Sequence, residues 1–443
     1  MTAAQPVAGR RPPLPARARL AVAATRSVNS LSRTLGVGSG TVLGGRAGIA
    51  VDPALLARLA AGRPVALVSG TNGKTTTTRL LAVALEDGNA GSVVTNGTGA
   101  NMPAGHVAAL AAGAPGVPVV LEVDESYLPG LVRSLRPAAV VLLNLSRDQL
   151  DRTNEVRMLA NRWREGLSAA TGFADRTTVV ANADDPMVAW GAGAAPRVVW
   201  VAAGLGWQLD AVGCPACEGR VTFADVPGAP PGGWSCSCGF ARPALDVWLE
   251  EADGTTMACW ADGRRLPVAL GIPGRFNRAN AALAAAAAEA LGVSAERAAA
   301  SMATVGEVAG RFAVRRIGGV SARLMLAKNP AGWQELLALV GPGTGPVVVG
   351  INARIADGRD PSWLWDVPFE QLAGRPVVAT GERCLDLSVR LRYAGVRHTT
   401  VRDSMAAVRD AAGMDQGASI DREKGPVEFI GNYTAFADLL GRR

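Results

Sequence analysis

Seven residues, Gly70-Thr-Asn-Gly-Lys-Thr-Thr76, constrain this 443-residue chain more than any other stretch. An apolar run, Val65-Ala-Leu-Val68, precedes them and reads as a buried strand, and Thr77 to Leu85 follows and reads as a helix. Strand, glycine loop, helix is the setting a phosphate-binding loop requires. Gly70 and Gly73 let the backbone curl so that successive N–H groups converge on one anion, and the helix N-terminus adds the positive end of its dipole. Lys74 is placed to reach β- and γ-phosphates, and the Thr75 hydroxyl to hold Mg²⁺. The general eight-residue pattern requires glycine where Val68 stands, so the chain carries the tighter form G-T-N-G-K-T. Only three of the 45 basic residues are lysines (Lys74, Lys328 and Lys424), so a lysine at this point is no by-product of composition.

Apolar content of 49% against 19% charged residues describes a well-buried globular chain, long enough for two or three domains. No apolar run is long enough for a transmembrane helix. Arg10-Arg11 is followed by prolines rather than an apolar stretch, so no export signal is expected and the expected location is cytoplasmic. The net charge of +7 admits nucleic acid, an anionic membrane surface or an anionic substrate. Scattered arginines and 5% aromatic residues argue against a nucleic-acid platform.

Along the chain, residues 19–35 read as a helix, 36–50 as a glycine-rich loop and 53–61 as a short helix. Strands are expected at 92–95, 117–122, 138–145 and 177–182, with helices at 128–135 and 155–169. Alternation of this kind gives a mostly parallel sheet covered by helices. Three polar segments follow its strands: Thr95 to Asn101, the carboxylates of Glu122-Val-Asp-Glu125, and Asn144 to Arg152. Ligands gather at that end of a parallel sheet, and a carboxylate there can hold a nucleotide's Mg²⁺. The sheet is expected to resume at 245–249 and 267–270, before an alanine-rich helix ending near Leu291. A separate α/β pattern starts near residue 312, with a strand at 346–351 and helices at 386–393 and 405–412. His106 and His398, the two histidines, stand beside no cysteine in a glutaminase pattern and read as core or surface residues.

Residues 210–243 interrupt the alternation with Cys214-Pro-Ala-Cys217 and Cys236-Ser-Cys238. Two such knuckles supply four thiolates, which suits a closed, structural Zn²⁺ site. The second knuckle is one residue short of C-x-x-C and demands an unusual turn.

The chain resembles the Mur ligase family, the ATP-dependent carboxylate–amine ligases of peptidoglycan synthesis. GTNGKTT looks like their phosphate loop, Glu122 like their Mg²⁺-binding glutamate, and NLSRDQLDR (144–152) like their N-x-x-x-D-H-x-D-R segment. Gly274 to Asn280 looks like their G-x-x-N-x-x-N segment, whose last Asn approaches adenine, and Arg311 like the arginine that reaches the nucleotide phosphates. Gln149 stands where the family has a metal-binding histidine, and no lysine lies between Lys74 and Lys328 to be carbamylated.

These departures are similar to one branch, the synthetase subunits of lipid II isoglutaminyl synthases. Matching segments include LEVDES (121–126), LAKNPAGWQE (326–335), ADGRDPSWLWD (356–366) and GNYTAF (431–436); Ala353 departs from the branch's usual Asp. The resemblance implies an α/β fold: a Mur ligase-like P-loop central domain (46–310) with a parallel sheet and an inserted Cys₄ zinc ribbon. An N-terminal segment (1–45) precedes it, and a C-terminal Rossmann-like α/β domain (311–443) follows.

The same resemblance implies amidation of the D-glutamate α-carboxylate of the lipid II stem peptide, through an acyl phosphate, at the inner face of the plasma membrane. ATP would be held by Gly70, Thr71, Asn72, Gly73, Lys74, Thr75, Thr76, Asn280 and Arg311, Mg²⁺ by Thr75, Glu122 and Gln149, and Zn²⁺ by the four cysteines. Lys74 and Arg311 would act in catalysis. Ammonia would come from a separate class-I-like glutaminase of the GatD type in a 1:1 pair, with Asp360, or else Asp357, completing that partner's active site. Two other readings stay open from the residues: a different Mur-like ligase such as a folylpolyglutamate synthase, and a zinc-ribbon ATPase stimulated by nucleic acid.

Overall fold

A computed structural model describes residues 13–34, 41–88, 92–97, 99–147, 156–169, 176–225, 230–308, 311–341, 344–414 and 426–441. The chain divides into two compact units, one formed mainly by residues up to Val305 and one mainly by residues from Gly306 onward.

The first unit is built on a nine-stranded sheet. Its strands are β1 (Val65–Ser69), β2 (Val94–Thr95), β3 (Val119–Val123), β4 (Ala139–Leu142), β5 (Thr178–Asn182) and β6 (Val198–Ala202). A small ribbon, β7 (Val221–Phe223) and β8 (Trp234–Cys236), follows as a separate antiparallel pair. β9 (Val247–Ala252), β10 (Thr255–Trp260) and β11 (Arg265–Pro267) return to the large sheet, whose order is β11-β10-β9-β6-β5-β4-β1-β3-β2. From β2 to β9 every pairing is parallel, and β10 and β11 extend the sheet antiparallel. β1, β3, β4 and β5 are buried throughout, as expected of apolar strands covered on both faces. Their side chains, with Trp163, Leu128 and Leu55, form the main core.

Two stretches differ from the sequence expectations. The strand expected at 267–270 ends at Pro267, and β10 was not anticipated. The hairpin joining β9 to β10 turns on Asp253-Gly254, both with positive φ (50° and 74°), between the paired Ala252 and Thr255. An Asp-Gly pair is the residue choice of a two-residue type I′ turn, so the signal was present.

The glycine-rich segment expected as a loop over 36–50 contains a helix, Thr41–Val51. Its glycines are contact points. A Cβ on Gly45 would lie 1.8 Å from the Ala104 carbonyl oxygen, one on Gly44 1.9 Å from Asn29 Oδ1, and one on Gly48 2.2 Å from Thr25 Oγ1. Neighbouring helices Ala16–Thr34 and Pro103–Ala112 therefore approach this helix to backbone distance, and that packing outweighs glycine's poor helix propensity.

The second unit carries a six-stranded sheet of β12 (Phe312–Ile317), β13 (Val320–Leu326), β14 (Val347–Gly350), β15 (Val377–Thr380), β16 (His398–Thr400) and β17 (Val427–Gly431). Its order is β12-β13-β17-β14-β15-β16, parallel except for the β12–β13 hairpin. Leu324, Val348, Val378, Phe429 and Phe436 lie in its core.

Candidate active site

The loop Gly70–Thr76 leaves the C-terminal end of β1 and enters the helix Lys74–Gly88. Gly70 and Gly73 have φ of 139° and 86°, in the region that favours glycine. A Cβ on Gly70 would lie 2.9 Å from Leu143 Cβ, and one on Gly73 would lie 2.7 Å from Asn280 Oδ1. Asn280, on the buried face of the helix Arg275–Ala290, is thereby brought against the loop.

Asn144, just beyond β4, holds the loop from the other side. Its carbonyl accepts from Thr71 N–H at 2.9 Å, its Oδ1 from Asn72 N–H at 2.9 Å, and its Nδ2 donates to the Asn72 carbonyl at 3.0 Å. The next residue, Leu145, donates its N–H to Asp185 Oδ2 at 2.8 Å. Asp185 also caps the helix Pro186–Ala192, and burial raises its pKa to about 6.

The neighbouring strand end supplies carboxylates. The Thr75 hydroxyl donates to Glu122 Oε2 at 2.8 Å. Asn96 fixes the Glu122 backbone in both directions, accepting its N–H and donating to its carbonyl, each at 2.8 Å. His106 Nε2 donates to the same carbonyl at 2.8 Å. His106 is fully buried, its Nδ1 has no hydrogen-bond partner among the described residues, and burial lowers its pKa to about 4 against the opposing effect of the Glu122 bond. The ring is thus a neutral strut beneath Glu122. Lys74 Nζ donates to the Gly70 and Thr71 carbonyls and to Glu125 Oε1 at 2.9 Å.

Sequence reasoning grouped Glu122 and Glu125 but did not pair Glu125 with Lys74, and it missed Asn96 and Asn144 as braces. All three lie within polar segments that follow strands, which was the available signal. Gln149 lies outside the described residues.

The four cysteines converge. Their sulfurs all lie within 4.8 Å of one another, with Cys214–Cys238 at 3.8 Å and Cys217–Cys236 at 3.5 Å. Sulfurs around a tetrahedral Zn²⁺ lie about 3.8 Å apart, given Zn–S of about 2.3 Å, so the donor set fits that ion. The short second knuckle is closed by Gly239, at φ 91°, whose N–H donates to the Cys236 carbonyl at 3.0 Å. Glu218, at φ 65°, plays the matching part in the first knuckle. The module is seated on the sheet by Trp234 Nε1, which donates to the Ala183 carbonyl at 2.9 Å, and by Arg242, 2.7 Å from Asp184.

In the second unit, Arg311 precedes β12, its N–H donating to the Val308 carbonyl and its own carbonyl accepting from Leu326. Asp357 is buried; its Oδ1 accepts from Thr434 N–H at 2.9 Å, and its Oδ2 from the Thr434 hydroxyl and, at 3.3 Å, from Arg354 N–H. Asp360 is exposed and takes the Ser362 N–H at 2.9 Å.

Two family models match: the Mur ligase middle domain over residues 68–203 and the MurT ligase C-terminal domain over 326–436. The chain is 30% identical to the lipid II isoglutaminyl synthase (glutamine-hydrolyzing) subunit MurT of Streptococcus pneumoniae, over 81% of this chain and 83% of that protein. The chain belongs to the MurT family. Another MurT, from Staphylococcus aureus, is 29% identical over 96% of this chain and 95% of its own. Among solved structures, this MurT-family fold is similar to a pseudomurein peptide ligase type C from Methanothermus fervidus (TM-score 0.60, 20% identity, 86% of this chain and 78% of that one). It is also similar to the MurF ligase of Thermotoga maritima in complex with ADP (TM-score 0.56, 17% identity, 89% and 82%).

Proposed function

We propose that this chain is the synthetase subunit of a glutamine-dependent carbon–nitrogen ligase that amidates the D-glutamate α-carboxylate of the lipid II stem peptide to D-isoglutamine. The observation that carries the reading is the joining, in one chain, of the Lys74–Thr75–Glu122 loop site with a match to the MurT C-terminal domain. ATP supplies the phosphoryl group that activates the carboxylate as an acyl phosphate, releasing ADP; ammonia then attacks the acyl carbon, the C–O bond to phosphate breaks, and inorganic phosphate and a proton leave. Catalysis of this kind rests on charge neutralisation and positioning.

Gly70 to Thr76 cradle the phosphates, Asn280 meets the base, and Lys74 and Arg311 offset the transferring charge. Thr75 and Glu122 would hold Mg²⁺; Gln149, the third expected ligand, lies outside the described residues. Zn²⁺ closes the four cysteines into a structural ribbon within the central domain (46–310), at 210–243.

The C-terminal Rossmann-like domain (311–443) docks a GatD-type, class-I-like glutaminase that supplies ammonia. Asp360, being exposed, is the first candidate to complete that partner's site, ahead of the buried Asp357. The enzyme works at the inner face of the plasma membrane, where lipid II is found. No helix among the described residues is long and apolar enough to cross a membrane.

The test is reconstitution of the chain with a glutaminase partner, glutamine, Mg²⁺-ATP and lipid II. Lipid II-dependent ATP turnover with appearance of the amidated product is expected. Hydrolysis stimulated by DNA or RNA instead would overturn the reading.

A further inference from the structure

Glu125 takes no part in the scheme above, yet it holds the residue on which that scheme most depends. The Lys74–Glu125 pair is nearly sealed from solvent, with side chains 5% and 10% exposed. Glu125 is itself held in place: Trp163, fully buried in the core, donates its indole N–H to the Glu125 carbonyl at 2.9 Å. The same ammonium binds the carbonyls of Gly70 and Thr71. Lys74 is therefore turned back on its own loop and on Glu125.

We propose that Glu125 is a positioning residue, the counter-ion that holds Lys74 in the nucleotide-free loop and from which the phosphates of an incoming nucleotide must take it. The proposal rests on the reading of Gly70–Thr76 as a nucleotide site. A buried ammonium without a counter-ion is unfavourable, so Glu125 stabilises the empty loop. The same carboxylate is an anionic rival to the phosphates, so it weakens nucleotide binding. One residue thus has effects of opposite sign on the two states, and a ligand shifts such a balance only by its differential affinity. A residue with a merely structural role would lower stability and affinity together.

The test compares full-length wild type, Glu125→Gln and Glu125→Asp by calorimetric titration with Mg²⁺-ADP, alongside thermal unfolding with and without ADP. Glu125→Gln is expected to melt below wild type when empty, to bind ADP on the order of tenfold more tightly, and to recover most of the lost Tm at saturating ADP. Glu125→Asp, which keeps the charge at shorter reach and is the more conservative change for folding, is expected to shift both quantities the same way by less. Unchanged or weaker ADP binding in a folded variant would overturn the proposal while leaving the nucleotide site standing. Failure of wild type to bind ADP at all would remove both.

Discussion

Asn144 and Asn72 are joined by a reciprocal pair of hydrogen bonds, side-chain Oδ1 accepting at 2.9 Å and Nδ2 donating at 3.0 Å, across 72 positions of sequence. One asparagine after β4 thereby fixes the path of a loop after β1. Asn144→Ala removes both bonds, each worth about 1 kcal/mol. Nucleotide affinity is expected to fall about tenfold with the fold retained, as read by ADP titration and circular dichroism. Wild-type affinity in that variant would mean that the loop holds its shape unaided.

Lys74→Ala is expected to abolish amidation while leaving the far-ultraviolet spectrum unchanged. Its Tm should also fall, because Glu125 is left buried without its partner. Retained turnover would take the loop out of the mechanism.

Protein purified without chelator is expected to contain one zinc per chain, and Cys236→Ser to lose it with a lower Tm. Atomic emission on the purified chain decides this: a metal-free sample would dismiss the zinc assignment.

His106 imposes a pH dependence of known sign. Its folded pKa of about 4 lies below the ordinary 6.5, so the unfolded chain binds the extra proton between those values. Its contribution is complete above about pH 6.5 and is lost as pH falls towards 4, by an amount on the order of 3 kcal/mol. Asp184 and Asp185, raised to about 6 by burial, act oppositely: they favour the folded state at low pH and lose that contribution as pH rises through 6. Denaturant titrations from pH 4 to 7 on wild type and His106→Gln separate the two. The difference between the proteins should shrink as pH falls, and a constant offset would contradict the assignment.

The two candidate aspartates of the second unit should part company. Asp357→Ala leaves the Thr434 N–H and hydroxyl without their acceptor, a loss of about 1–3 kcal/mol that thermal unfolding will show. Asp360→Ala should leave Tm unchanged and reduce glutamine hydrolysis in the reconstituted pair. Full hydrolysis with Asp360→Ala would exclude it from the partner's site.

Much of the frame was legible because its residues have few alternative uses. Gly70 and Gly73 mark a backbone that only glycine adopts readily, and the apolar runs of β1, β3 and β4 suit strands covered on both faces. The helix Thr41–Val51 was illegible because glycine signals a loop when neighbours are unseen, and its role here depends on Asn29, Ala104 and Thr25. Likewise, Glu125 is recognisable as a carboxylate after a strand, but its partners lie far off in sequence, Lys74 51 positions before it and Trp163 38 positions after it. Tertiary partners of this kind carry no local pattern. The Asp253-Gly254 turn did carry one, and β10 follows from it.

The large sheet ends on one side in β2, two residues long, and on the other in β11, three residues long. Very short edge strands are one of the devices by which a sheet discourages edge-to-edge pairing. The two ends of this sheet therefore carry a built-in guard against strand addition, in the half of the chain that holds the phosphate loop.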